Sequence, residues 1–290
     1  MRYQPADASG AVRLAVQASR ALAAAGQGDM VWGHASIRDP DGRGVWIKSA
    51  GWGLEEIDAS RIALVSPDGS VLDGAEPRHI EYPIHTEIMA ARPDVGSVAH
   101  THSAAASEFA ALEVPLRPLD HAGSLFCYPA IPRFTLTGGL IKSRSLGAAL
   151  AGVLADARAC LMPQHGIVAV GHDAPTAVMT AVLLDRACRT QLTAMAAGPL
   201  RRWGEEQDTV AKRADVWSDR QMQAGWEYLL RSGARLGLRV REVRDLLEGG
   251  FHQVQSALGA AEGPRPVAAG GAGGQQLGAF GGQDPQHEMR

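Results

Sequence analysis

The chain has 290 residues, 46% hydrophobic and 20% charged, with Lys plus Arg 28 against Asp plus Glu 31 for a formal net charge of −3. That is enough apolar material for one sizeable core or two small ones, and the near-neutral balance excludes the basic footprint of a nucleic-acid binder. No apolar run approaches the roughly 20 residues of a membrane-spanning helix, and Met1 to Ala8 has no apolar signal core, so a cytoplasmic protein without membrane partners is expected.

In chain order, Val12, Leu14, Val16 and Leu22 at near-helical spacing predict a helix over Gly10–Ala25, stopped by Gly26. Short strands are predicted at Met30–Trp32, Ser36–Arg38 and Val45–Lys48, with a Pro40-Asp41-Gly42 turn. Pro67-Asp68-Gly69 turns between strands Ile62–Ser66 and Ser70–Leu72. Ile84–Arg92 is a predicted helix with Pro83 in its first turn. Gly96–His102 follows as a β-branched strand, then a helix Ser103–Leu112 capped by Ser103. Further on come helix Leu146–Leu154, strands Ala159–Met162 and Ile167–Val170, and a long helix to Ala197 capped by Asp173. Trp217 to about Gly250 is expected to be helical, broken near Gly233. From Gly259 the chain is Gly, Ala, Pro and Gln, too little apolar surface to offset ordering entropy. The expected organisation is a catalytic domain over 1–258 and a disordered tail over 259–290. Hairpins among long helices suggest an α/β layered fold whose largely antiparallel sheet is covered by helices.

The chemistry concentrates in histidines. In a strand, side chains two apart share a face, so His100 and His102 point the same way and suit a shared divalent ion; two solvated histidines are the alternative. His165 sits in the Gln164-His165-Gly166 turn between two apolar strands, a place where scaffolds present ligands. Glu81 precedes a helix and could also serve only its dipole. Three imidazoles and one carboxylate are the inventory of a catalytic metal site with an open position. His85 lies four residues after Glu81, as either a site or a packing residue. His34 and His121 lie in loops, His121 as a possible proton donor. Cys127, Cys160 and Cys188 form no disulfide framework and no CxxC site.

These residues together resemble the class II aldolase/adducin family. Asp29-Met30-Val31-Trp32-Gly33-His34-Ala35-Ser36-Ile37-Arg38 is similar to its Gly-Asn-x-Ser-x-Arg block, and Lys48-Ser49-Ala50-Gly51 to its small glycine loop. Glu81, His85, Arg92-Pro93-Asp94 and His100-Thr101-His102-Ser103 make the most specific match, and Gln164-His165-Gly166 the fourth. The resemblance spans roughly residues 10 to 230. It implies a three-layer fold, one divalent metal ion per subunit (Zn, Mn, Fe or Co) on His100, His102, His165 and Glu81, and a homotetramer. Glu81 would double as the acid/base residue, with His121 and Tyr228 as further catalytic candidates. Gly33, His34, Ser36, Arg38, Ser49, Gly51 and His79 would contact a small-molecule substrate, Arg38 gripping a carboxylate.

His34 replaces the family asparagine, and His79-Ile80 replace a Ser-Ser pair of the sugar-phosphate aldolases, which weakens a phosphate site. Trp32, Trp46, Trp52 and Leu54 crowd the same blocks and suggest walls for a flat ligand. This pattern is more similar to the branch acting on aromatic carboxylates. The leading expectation is therefore a metal-dependent decarboxylase in which a desolvated Glu81 of raised pKa acts as general acid. The alternatives are an aldolase or epimerase of ketose phosphates, a non-haem iron oxygenase, and an adducin-like interaction module.

Overall fold

The computed structural model describes residues 3–74, 77–235 and 237. Seven strands form one sheet: β1 (His34–Arg38), β2 (Val45–Lys48), β3 (Ile62–Val65), β4 (Val71–Asp73), β5 (Ser97–Thr101), β6 (Ala159–Met162) and β7 (Gly166–Gly171). Their order is β4-β3-β2-β1-β5-β7-β6, with every neighbouring pair antiparallel.

Alternation along the strands builds two cores. Ile37, Trp46, Leu64, Ala99, Ile167 and Ala169 face one side, against α1 (Ala8–Ala24), α3 (Ala104–Ala110) and α5 (Ala174–Ala197). Val45, Ile47, Val65, Val98, Val168 and Val170 face the other, against α2 (Tyr82–Ala91) and α4 (Arg144–Leu154). A sheet covered on both faces needs apolar residues at nearly every position, which is why its central strands read as unbroken apolar runs. The expected three-layer α/β architecture with an antiparallel sheet is the one observed.

Helix ends follow local chemistry. Asp7 starts α1 by accepting from the Gly10 amide, and Asp173 starts α5 by accepting from Thr176 at 2.9 Å. Ser103 precedes α3 as expected, but its hydroxyl makes no capping bond and is buried without a partner.

Two expectations are corrected and one helix is added. Met30–Trp32 is a turn rather than a strand: Met30 has a positive φ of 45°, and Met30 and Trp32 stand exposed, outside the sheet. A helix absent from the sequence reading, α6 (Glu206–Val216), is polar on most sides and is tied down by Arg213, which donates to the carbonyls of Ser124 and Tyr128. Residues 219–235 are helical without a break at Gly233. A Cβ at that glycine would lie 3.3 Å from Ala24 Cβ, so it permits close approach to the end of α1. The helix expected from 238 to Gly250 and the tail expected over 259–290 lie outside the described residues. Among the described residues no helix is long and apolar enough to cross a membrane.

Candidate metal centre

The β1–β5 register places His34 opposite His100 and Ser36 opposite Val98. All four therefore face the α2/α4 layer. His100 lies near the end of β5 and His102 just beyond it. His165 arrives from the β6–β7 turn, where Gln164 has a positive φ of 64°. Gly166 makes this turn possible, because a Cβ there would come within 2.4 Å of the Thr101 carbonyl oxygen. Glu81 sits at the start of α2 without capping it; its Oε1 instead accepts from the Ile141 amide at 2.8 Å.

One donor atom from each of Glu81, His100, His102 and His165 falls within 4.8 Å of the others. His100 Nε2 lies 3.1 Å from His102 Nε2 and 3.8 Å from Glu81 Oε2, and His165 Nε2 lies 3.3 Å from Glu81 Oε1. The outer nitrogens are held. His100 Nδ1 donates to the Ile167 carbonyl at 2.9 Å, and His102 Nδ1 pairs with Asp29 at 3.0 Å. Both arrangements leave Nε2 free toward the centre, the usual way a ligating imidazole is oriented from behind. His165 is buried with neither ring nitrogen hydrogen-bonded. Such an orphan is costly unless something else occupies it, so the donor set fits a divalent ion.

Burial, more than anything else, pushes His100 well below the ordinary imidazole range, so it is neutral and able to ligate. Burial also pushes the Glu81 carboxyl up, but the His165, His34 and His100 imidazoles around it outweigh that and hold it well below the carboxylate range. The direction is opposite to the raised pKa expected.

A second group lies behind this cluster. His34 Nδ1 is 2.6 Å from His85 Nε2, and His85 Nδ1 is 2.7 Å from Ser36 Oγ. His34 Nε2 lies 3.9 Å from Glu81 Oε2 and has no hydrogen-bond partner. His79 packs its ring 3.8 Å from that of His34, and burial followed by the Lys48 charge lowers it to about 4. His85 is lowered to about 3, first by burial and then by the His79 charge.

Of the residues expected to meet substrate, His34, Ser36 and His79 are brought to this cluster. Ser49 is buried with an unpartnered hydroxyl, Gly51 turns an exposed loop at a positive φ of 84°, and Gly33 is buried against Leu54. Arg38 is not brought there: its guanidinium donates to the carbonyls of Met89, Arg92 and Val95 at the far end of α2. Neither His121 nor Tyr228 hydrogen-bonds to the cluster, and both side chains are exposed. Trp46 and Leu54 belong to the core, Trp46 donating to Asp39, so they line no slot. Asp29 and Lys48 open two of the blocks that carry the resemblance, but the sequence assigned neither a role. Asp29 carries no signal beyond its place before β1. Lys48 is fully buried, with Nζ 2.8 Å from the Val31 carbonyl.

A buried three-histidine, one-carboxylate centre at the end of an antiparallel sheet between helices defines the class of protein. The chain belongs to the class II aldolase and adducin N-terminal domain family, whose model matches residues 13–192. It is 27% identical over 242 residues to a 3,4-dihydroxyphthalate decarboxylase of Arthrobacter keyseri, covering 79% of this chain and 96% of that one. A 3,4-dihydroxyphthalate decarboxylase of Rhodococcus jostii (strain RHA1) is 31% identical over 205 residues, covering 66% and 83%. Among solved structures, an L-fuculose 1-phosphate aldolase from Glaciozyma antarctica PI12 matches with a TM-score of 0.69 at 24% identity, over 78% of this chain and 89% of that one. That match establishes the fold. With these relatives, the chain is an enzyme of the lyase class.

Proposed function

We propose that this protein is a divalent-metal-dependent decarboxylase of a hydroxylated aromatic or heteroaromatic carboxylate, working as a homo-oligomer on a small molecule. The observation that carries the reading is its likeness, over nearly the whole length of one relative and most of another, to proteins named 3,4-dihydroxyphthalate decarboxylase. The replacement of paired hydroxyls by His79 and exposed Ile80 supports it, since both disfavour a phosphate group.

Glu81, His100, His102 and His165 would hold the ion. When bound, it supplies Lewis acidity to the negative charge that develops on oxygen as CO2 departs. The residues do the rest. Glu81, a carboxylate at rest, takes the proton of the substrate hydroxyl. Glu81 returns that proton to the ring carbon bearing the carboxylate, and the C–C bond then breaks, its electron pair flowing through the ring to the oxygen. The product oxyanion is reprotonated from solvent. His34 Nε2, Ser49 Oγ and Ser103 Oγ, buried without partners at this end of the sheet, are polar atoms available to meet substrate oxygens.

The test is direct. Dihydroxyphthalates and related hydroxy acids are incubated with protein loaded with Zn, Mn, Fe or Co, and CO2 release is measured. Release with at least one metal is expected, abolished by chelator. Cleavage of a ketose 1-phosphate with no CO2 from any hydroxy acid would overturn the reading.

A further inference from the structure

The Ser36–His85–His34 line is buried throughout, with all three residues at 0% exposure. It spans two elements, β1 and α2, and ends at the single nitrogen of the three that has no partner, His34 Nε2. Two neutral imidazoles and a hydroxyl linked this way share their protons in one of two directions.

In one direction, His85 donates to Ser36 and His34 donates to His85. That leaves a bare lone pair on His34 Nε2 facing Glu81 Oε2 at 3.9 Å, two electron-rich atoms with no proton between them. It also strands the Ser36 proton, because among the described residues Ser36 Oγ bonds to nothing except His85. In the other direction, Ser36 donates to His85 Nδ1, His85 Nε2 donates to His34 Nδ1, and His34 carries its proton on Nε2. Every proton then has an acceptor or faces the carboxylate.

We propose that Ser36 and His85 are positioning residues that lock His34 in its Nε2–H tautomer. His34 thereby offers a fixed neutral donor, beside Glu81, to an anionic oxygen of the substrate, such as a ring carboxylate. The substrate class rests on the decarboxylase reading above; the tautomer does not. A neutral donor binds an oxyanion without requiring a second buried positive charge next to the ion.

The experiment is 15N NMR of the imidazole nitrogens in full-length, zinc-loaded protein, with His34 assigned by the loss of its signals in His34→Asn. The expected result is a proton on His34 Nε2 in the unaltered protein; a proton on Nδ1 would overturn the proposal. In Ser36→Ala, His34 should shift toward the Nδ1–H form, and KM for the hydroxy acid should rise about tenfold with kcat and zinc content little changed. Ser36→Thr, which keeps the hydroxyl, should restore both. An unchanged tautomer in Ser36→Ala would sink the positioning role whatever happened to activity. The nitrogen spectra need no substrate. A failed CO2 assay therefore leaves the tautomer result standing, and the wrong tautomer leaves the decarboxylase reading standing.

Discussion

The two ends of the central strands treat polar groups in opposite ways. At the end formed by His34 of β1, Thr101 of β5 and Gly166 of β7, buried polar atoms go unpaired: both nitrogens of His165, His34 Nε2, Ser49 Oγ and Ser103 Oγ. At the other end, Arg38 satisfies three carbonyls, Ser97 Oγ donates to the Ser36 carbonyl, and Asp173 takes the amides of Tyr3 and Thr176. Both ends are dense, but unmet bonding capacity gathers at the first; at the other, His172 Nε2 goes without a hydrogen bond, 3.3 Å from Asp173. One end is built for a guest and the other for stability.

The largest test of this contrast is removal of a ligand. His100→Ala or His165→Ala should empty the metal site by elemental analysis and cut turnover by about 1,000-fold or more, while thermal stability of the metal-free protein changes little or rises. A large fall in its melting temperature would make these histidines structural. Lys48, at the guest end, comes next. Burial lowers its ammonium from 10.5 to about 8 despite the opposing pull of Glu55 and Glu56. The unfolded chain therefore binds the extra proton between pH 8 and 10.5, and this group's contribution to stability rises with pH across that window, by up to about 3 kcal/mol. Denaturant titrations from pH 7 to 10.5 should show that rise relative to Lys48→Met; parallel curves would contradict it. At the stable end, Arg38→Met should cost about 2 kcal/mol in denaturant unfolding, with turnover per folded molecule unchanged. A selective rise in KM would instead restore Arg38 as a substrate residue. The smallest effect is Asp173→Ala, about 1 kcal/mol from a lost helix cap, read as a shift in melting temperature.

The legible parts were those governed by local rules. Apolar runs marked the sheet, Asp173 marked the start of α5, and two residues at strand spacing placed His100 and His102 together. Illegible parts depended on distant partners. Met30-Val31-Trp32 is apolar enough for a strand, yet it precedes Gly33 as a turn outside the sheet. Arg38 looks like a substrate arginine until the end of α2 arrives to claim it. His85 sits one helical turn from Glu81, but its partners come from β1, which no periodicity reveals. Burial alone predicts the wrong direction for Glu81, because the decisive neighbours, His165 and His34, come from far along the chain.

The register of β1 against β5 has a consequence for how the protein is made. His34 meets His100, and His165 reaches them only after β7 has paired on the other side of β5. Glu81, His100 and His102 lie close together in the chain, but the fourth residue of the set, His165, joins them only through the β6–β7 turn. A complete coordination set therefore marks a molecule whose middle strands have closed.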